Sequence, residues 1–234
     1  MSAIFKREFS AYFTSPVGYA VIAAFVFFSG IFLWVECLHV GASNMSPVFQ
    51  SMFFIMLFVI PLVTMRLFAE DARQKTDQAF LTSPVSIAGI VLAKFFSAMV
   101  MLLLCLSVFI VEGVALSFMT TPDWSVIIAN IFGLMLLGAA FSAIGIFISS
   151  LTESVIVAAI VSFAVNVFIS LLDTISATVP VDFLKNIVSS LSFQSRFGHF
   201  ALGLFSFSDV IFFASVACFF LFLTDRVIDR KRWA

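Results

Sequence analysis

The sequence predicts an all-α polytopic membrane protein, a single transmembrane domain of six spans over residues 1–234. Hydrophobic residues make up 62% of the chain and charged residues only 11%, whereas a soluble domain carries roughly 25% charged residues. Two long stretches, between Glu36 and Arg66 and between Asp123 and Glu153, contain no Lys, Arg, Asp or Glu. Each is long enough for a helix of about 20 residues that crosses a bilayer.

The six predicted spans differ in length. They cover residues 17–37, 47–66, 87–119, 124–150, 154–172 and 209–226. Pro61 lies near one end of the second span and is expected to kink it, which a helix bundle in lipid tolerates. The first span is too long for the apolar core of a signal peptide, so we expect it to stay in the mature protein.

The positions of the cations predict that both termini are cytoplasmic. With an inner N-terminus and six spans, only Lys185 and Arg196 of the 12 basic residues fall outside. The opposite orientation is disfavoured because basic loops are translocated poorly.

Residues 1–15 precede the first span and predict a helix that lies in the membrane plane. One face carries four aromatic residues, Phe5, Phe9, Tyr12 and Phe13, and the other carries Lys6, Arg7 and Ser10. A solvated tail is the alternative interpretation.

The segment 68–82, between the second and third spans, lies in the densest cluster of charge. Six charged residues fall within twelve positions: Arg66, Glu70, Asp71, Arg73, Lys75 and Asp77. The segment contains no Pro or Gly before Pro84, so a short cytosolic helix is expected. Such a helix could dock a partner, or it could be a solvated connector.

The segment 181–205, between the last two spans, carries two apolar stripes. The first consists of Phe183, Leu184, Ile187, Val188 and Leu191, and the second of Phe193, Phe197, Phe200 and Leu204. They predict two short helices that dip into the outer leaflet. An ordinary outer loop with two amphipathic turns is the alternative.

Several kinds of chemistry have no motif in the chain. There is no phosphate-binding loop, no H-E-x-x-H and no G-x-S-x-G. We therefore expect no catalytic residue, no cofactor site and no metal site in this chain. The net charge of −1 gives no electrostatic attraction to nucleic acid.

A few polar and small residues inside the spans call for explanation. Glu36, Lys94 and Glu112 lie near span ends, so their side chains are expected to reach the interface. Asn166 lies mid-span and is expected to form a hydrogen bond between helices. Small residues in the fourth span, among them Gly138, Ala143 and Gly145, are expected to allow close helix packing.

Four segments, in their order and spacing, carry a resemblance to a known family. They are Tyr12–Pro16, Phe68–Thr76 leading into Leu81–Ser86, Ala143–Thr152, and Phe219–Trp233. Together they resemble the membrane subunit of a type 2 ABC exporter (an ABC-2 type permease), most closely the GldF and NosY-like branch. The resemblance covers essentially the full chain. It departs from the family pattern at Lys75, where the family has Gly, and at Gln78, where it has Glu.

The resemblance implies a permease in the cytoplasmic (inner) membrane of a bacterium. It would pair with a second permease copy, identical or related, and bind ABC ATPase subunits that carry the ATP and Mg²⁺. The first helix would be the elbow helix, and residues 181–205 would help to close the exit side. The coupling helix that contacts the ATPase would contribute Glu70, Asp71, Arg73, Lys75, Thr76 and Gln78.

The function predicted from sequence is the permease subunit of an ATP-driven exporter of unidentified cargo. The alternative is a membrane anchor or assembly factor that docks a cytosolic ATPase machine without transport. A secondary carrier or an intramembrane enzyme is disfavoured because the sequence shows no deep acidic residue and no cluster of metal ligands.

Overall fold

The structure is a computed structural model that describes residues 2–75, 86–178 and 192–233. Within these ranges the chain forms α-helices and no β-strand, which confirms the predicted all-α class. The helices are α1 (Ser2–Thr14), α2 (Pro16–Leu33), α3 (Ser46–Thr64), α4 (Arg66–Arg73), α5 (Ile87–Leu106), α6 (Val108–Ser117), α7 (Trp124–Leu151), α8 (Val155–Thr178), α9 (Phe193–Ala201) and α10 (Phe207–Trp233). A π-helical turn, Trp34–Leu38, continues α2.

Six stretches of these helices are long and apolar enough to cross a membrane, as predicted. They are Pro16–Leu38, Ser46–Arg73, Ile87–Ser117, Trp124–Leu151, Val155–Leu172 and Phe207–Lys231. The chain is therefore a multi-pass membrane protein. Because six crossings return the chain to its starting side, both termini lie at one end of the bundle, which we call the termini end. The other end is the opposite end.

Two of the spans are interrupted once each. The second span breaks at Met65, four residues after Pro61, and continues directly as α4. The third breaks at Ser107, whose hydroxyl donates to the Leu104 carbonyl at 2.6 Å. A serine that bonds back to its own helix in this way bends the helix. The sequence predicted the Pro61 distortion but treated the third span as one uninterrupted run.

Helix α7 lies at the centre of the bundle and packs against α3, α5, α9 and α10. Two of its glycines allow this close packing. A Cβ at Gly138 would overlap the Leu102 side chain, and a Cβ at Gly145 would overlap Thr64 Oγ1. Ala143, between them, is completely buried. Small residues here let neighbouring backbones approach closely.

Helix α9 differs from the expectation for the outer segment. Phe193, Phe197 and Phe200 are buried, and they stack against phenylalanines of the spans rather than facing the lipid. The fourth member of this stripe, Leu204, lies beyond α9 and is exposed. Phe200 can pack against the bundle because Gly133 of α7, directly beneath its ring, has no side chain to block it. The first stripe, at positions 183–191, lies outside the described residues.

Candidate functional site

Helix α1 attaches to the bundle through two neighbouring polar groups, Glu8 and the Tyr12 hydroxyl. Glu8 and Tyr12, one turn apart, are both buried, and the Tyr12 hydroxyl donates to the Val63 carbonyl at 2.9 Å. Burial raises the pKa of Tyr12, so the hydroxyl stays protonated as a donor. Tyr12 therefore packs inward at the edge of the aromatic face, whereas the three phenylalanines of α1 are only partly buried.

Those phenylalanines form a separate ladder along α1. The Phe5 and Phe9 rings stack with centroids 6.0 Å apart, and the Phe9 and Phe13 rings meet edge to face at 5.2 Å. All three side chains are partly exposed. An exposed aromatic ladder of this kind is typical of a helix that lies in the interface plane of a bilayer.

Lys94 is the centre of the site at the termini end. Its side chain is completely buried, and Nζ donates to Glu8 Oε1 at 3.0 Å, to Asp71 Oδ2 at 2.5 Å and to the Leu67 carbonyl. The ammonium also lies 4.9 Å from the centroid of the Phe68 ring. Lys94 does not reach solvent, because α1 covers it and supplies a carboxylate.

Arg7 adds a second cation to this cluster. Its guanidinium contacts Glu8 and donates to Asp71 Oδ1 at 3.1 Å. Burial alone would lower the pKa of Arg7, but the two carboxylates outweigh burial and raise it. Glu8 and Asp71 are thus each held by Arg7 and Lys94. The ion cluster, defined as Arg7, Glu8, Asp71 and Lys94, joins α1, α4 and α5.

Arg66 forms a second link between α1 and α4. Its Nη1 donates to Ser15 Oγ at 2.6 Å, and its guanidinium lies 4.7 Å from the centroid of the Tyr12 ring. A longer ion pair, with N and O 4.0 Å apart, connects it to Glu70 one turn later. The start of α4 is therefore fixed to the turn between α1 and α2.

Ser149 of α7 holds the break between α3 and α4. Its Oγ accepts hydrogen bonds from the amides of Phe68 at 3.2 Å and Ala69 at 3.0 Å, and it donates to the Met65 carbonyl at 2.9 Å. The amides at the start of a helix have no partner within the helix. Ser149 supplies one from a neighbouring span, so α4 begins at a defined position on α7.

The structure separates the predicted coupling residues into two groups. Asp71 faces inward, in the ion cluster, whereas Glu70, at 46% side-chain exposure, and the exposed Arg73 and Lys75 face away from the core. Helix α4 ends at Arg73, and Lys75 after it takes a left-handed conformation with φ of 57°. Thr76 and Gln78 lie outside the described residues.

A polar cleft of about 520 Å³ opens between α1 and α4, beside the ion cluster. It is lined by Arg7, Glu8, Ser10, Ala11, Thr14, Ser15, Arg66, Glu70, Asp71 and Gln74. A cleft of this size is within the usual range for ligand sites. The sequence did not indicate it, because the residues come from positions about 60 apart.

The opposite end carries an ion cluster of its own. Asp209, which is 2% exposed, accepts from Arg196 at 2.8 Å and pairs with His199 Nδ1 at 2.7 Å. Arg196 also lies over the Phe212 ring, 4.2 Å from its centroid. This cluster joins α9 to the first turn of α10.

Three polar residues inside the spans have buried oxygen or nitrogen atoms without a hydrogen-bond partner among the described residues. Glu112, expected to reach the interface, is buried with Oε2 unpartnered, and partly buried Glu36 accepts from Ser51 at 2.6 Å through Oε1 only. Asn166 is completely buried, and neither of its amide atoms bonds to a described residue, so the expected bond between helices is not formed within this part of the chain. In the described parts of the chain, no three His, Cys, Asp or Glu residues are arranged to hold a metal ion.

Sequence comparisons do not assign this chain to a family. No protein-family model matches the chain, and no curated protein matches it significantly.

Proposed function

We propose that this chain is the permease subunit of an ATP-driven exporter and that α4 is its coupling helix. In this proposal the termini end is cytoplasmic, in the inner membrane of a bacterium, and a separate ABC ATPase subunit contacts α4. A second permease copy would complete the path for the cargo.

One observation carries the proposal, namely that α4 has two different faces. One face is bonded to the bundle, through Asp71 to Lys94 and through its first amides to Ser149. The other presents Glu70, Arg73 and Lys75 outward. A partner that moves α4 would act directly on α1, α5 and α7, as coupling between sites through contiguous contacts requires.

The backbone at Lys75 supports the same assignment. Its φ of 57° is a conformation that glycine adopts without cost. The permease family that the sequence resembles has Gly at this position. The turn after α4 is thus the one that a family glycine would favour.

The docking test uses charge reversal on the outward face only. The chain, tagged and purified from its native membranes, is expected to recover an ATP-hydrolysing subunit. The double variant Glu70→Lys with Arg73→Glu should weaken that association about tenfold, or about 1.4 kcal/mol. Glu153→Lys, an exposed acidic residue at the same end, is the control and should have no effect. Unchanged association in the double variant would refute α4 as the docking helix.

The coupling test uses the inward face. Asp71→Asn keeps the shape of the side chain but removes the charge that faces Lys94, so docking should change less than twofold. The ATPase rate of the complex should nevertheless no longer differ from the rate of the ATPase subunit alone. ATP-dependent movement of cargo across vesicles separates a transporter from a non-transporting anchor, which would retain docking without any transport.

A further inference from the structure

The depth of the cleft in the membrane follows from the length of the third span. Ile87–Ser117 has 31 residues, roughly 46 Å at about 1.5 Å per residue, whereas the hydrocarbon core is about 30 Å thick. A centred helix therefore extends roughly 8 Å beyond the core at each end. Lys94 lies about 10 Å from the helix start, near the edge of the hydrocarbon. The cleft beside its ion partners is thus at the level of lipid headgroups.

One wall of the cleft offers hydrogen-bond donors to an anion. Arg66 is 8% exposed and, among the described residues, donates a single hydrogen bond, to Ser15, while a guanidinium has five N–H donors. The Ser10 hydroxyl lines the same wall and makes no hydrogen bond to any described residue.

The opposite wall offers an acceptor to a cation. The Glu70 side chain is 46% exposed and its Oε2 lies 4.0 Å from Arg66 Nε. Among the described residues it accepts one hydrogen bond, from Gln74 at 3.2 Å, and it lines the cleft. A primary ammonium could donate to it, whereas a trimethylated ammonium has no N–H to donate.

The charges around the cleft balance. Among the described residues, two cations and three anions line the cleft, namely Arg7, Arg66, Glu8, Glu70 and Asp71, and the buried Lys94 beside it pairs with Glu8 and Asp71. A neutral site with separated donors and acceptors fits a zwitterion better than an anion, which would gain no net attraction.

We infer that this cleft binds the phosphoethanolamine headgroup of a membrane phospholipid. Arg66 and Ser10 hold the phosphate, and Glu70 holds the ammonium. The partly exposed ladder of Phe5, Phe9 and Phe13 on α1 keeps the site at the membrane surface. The inference does not depend on the proposed function, since it concerns the chain alone.

The test measures lipid binding to the purified full chain in detergent, without any partner protein. Short-chain phospholipids with ethanolamine, choline or glycerol headgroups are titrated separately, and binding is followed by native mass spectrometry. The ethanolamine lipid should bind about tenfold tighter than the other two, because only its headgroup can make both charge-assisted contacts. Soluble glycerophosphoethanolamine should compete with it, and inorganic phosphate should not.

Two conservative variants test which residues of the two cleft walls bind the headgroup. Glu70→Gln should reduce the preference for ethanolamine over choline to less than twofold, and Ser10→Ala should weaken all three lipids by a similar factor of about three. Both residues are exposed enough for the fold to survive, unlike Arg66. Glu153→Gln is the matched control for Glu70 and should leave every affinity unchanged.

Several results would overturn the inference. Equal affinity for the three headgroups, or tighter binding of the glycerol lipid, would show a general or merely basic lipid surface. Competition by inorganic phosphate as strong as that by the soluble headgroup would indicate a free-phosphate site. A preference for ethanolamine that persists in Glu70→Gln would show that Glu70 does not bind the ammonium.

Discussion

At each end of the bundle a buried charged side chain is paired with two other side chains. The two ends differ in the sign of the buried charge and in how far along the sequence its partners lie. At the termini end a buried cation, Lys94, lies between two carboxylates from α1 and α4. At the opposite end a buried anion, Asp209, lies between Arg196 and His199 of α9. The partners of Lys94 are 86 and 23 residues away, whereas those of Asp209 are 13 and 10 residues away.

The difference in sequence separation distinguishes a junction between distant helices from a contact between two consecutive helices. The Asp209 cluster fixes one short helix to the next, and its His199 is 53% exposed, so water can replace part of the interaction. The Lys94 cluster joins three helices that the chain brings together only in the folded bundle. Movement of α4 would therefore affect α1 and α5, while movement of α9 would affect mainly the start of α10.

The largest expected effect comes from removing the central cation. Lys94→Met should destabilise the protein by about 3–5 kcal/mol, because Glu8 and Asp71 would remain buried without their main cation. Unfolding in detergent, followed by thermal denaturation, measures this loss. The triple variant Lys94→Met, Glu8→Gln, Asp71→Asn should recover most of it. If the single variant is as stable as the wild type, Lys94 is not the centre of the junction.

The matching change at the opposite end should cost less. Asp209→Asn removes the acceptor of two charge-assisted hydrogen bonds, at a cost of about 1.5–3 kcal/mol. Arg196 and His199 retain access to water, so neither is left buried and unpaired. The same denaturation assay applies. A loss larger than that of Lys94→Met would reverse the comparison between the two ends.

A smaller effect is expected where α7 supports the start of α4. Ser149→Ala should cost about 1–2 kcal/mol, the usual value of a helix cap, because two amides of α4 lose their acceptor. Ser150→Ala is the control, since that hydroxyl bonds only to Phe147 of its own helix. Hydrogen exchange at Phe68 and Ala69 should accelerate in the first variant only. Equal exchange in both would contradict the capping role.

The smallest effect concerns the attachment of α1. Tyr12→Phe should cost about 1 kcal/mol, through loss of the bond to the Val63 carbonyl, and Tyr19→Phe, at an exposed position, should cost nothing. Burial raises the pKa of Tyr12 above 10.0, so the unfolded state loses the phenolic proton first. The wild-type advantage over Tyr12→Phe should be full below pH 10 and decrease as the pH rises further.

Much of the fold was predictable because lipid restricts the possibilities. A run of about 20 apolar residues without charge has few alternatives to a membrane-crossing helix, so the number of spans followed from composition and spacing. The amphipathic pattern of α1 was also readable, but not the face that packs inward. Tyr12 and Phe13 look equivalent in sequence, and only the acceptor at Val63 distinguishes them.

Only part of the candidate site could be predicted from the sequence. The charge of segment 68–82 indicated an exposed helix, and the Arg73 residue is exposed and the Glu70 side chain 46% exposed. Nothing local showed that Asp71 turns inward, since it meets Lys94 from another span and Glu8 from the N-terminal helix. A Lys in a span and a Glu on an interfacial helix are a usable signal when they are considered as a pair.

The sequence by itself determined the solvent of this protein, its helical class and its six crossings, because these depend on apolar length and on where charges are missing. The tertiary structure alone decided which charges meet, where α4 begins and ends, and which polar face forms a cleft. Those properties depend on contacts between residues far apart in the chain. Hydrophobic patterning cannot specify such pairings, since a buried ion needs a particular partner at hydrogen-bond distance.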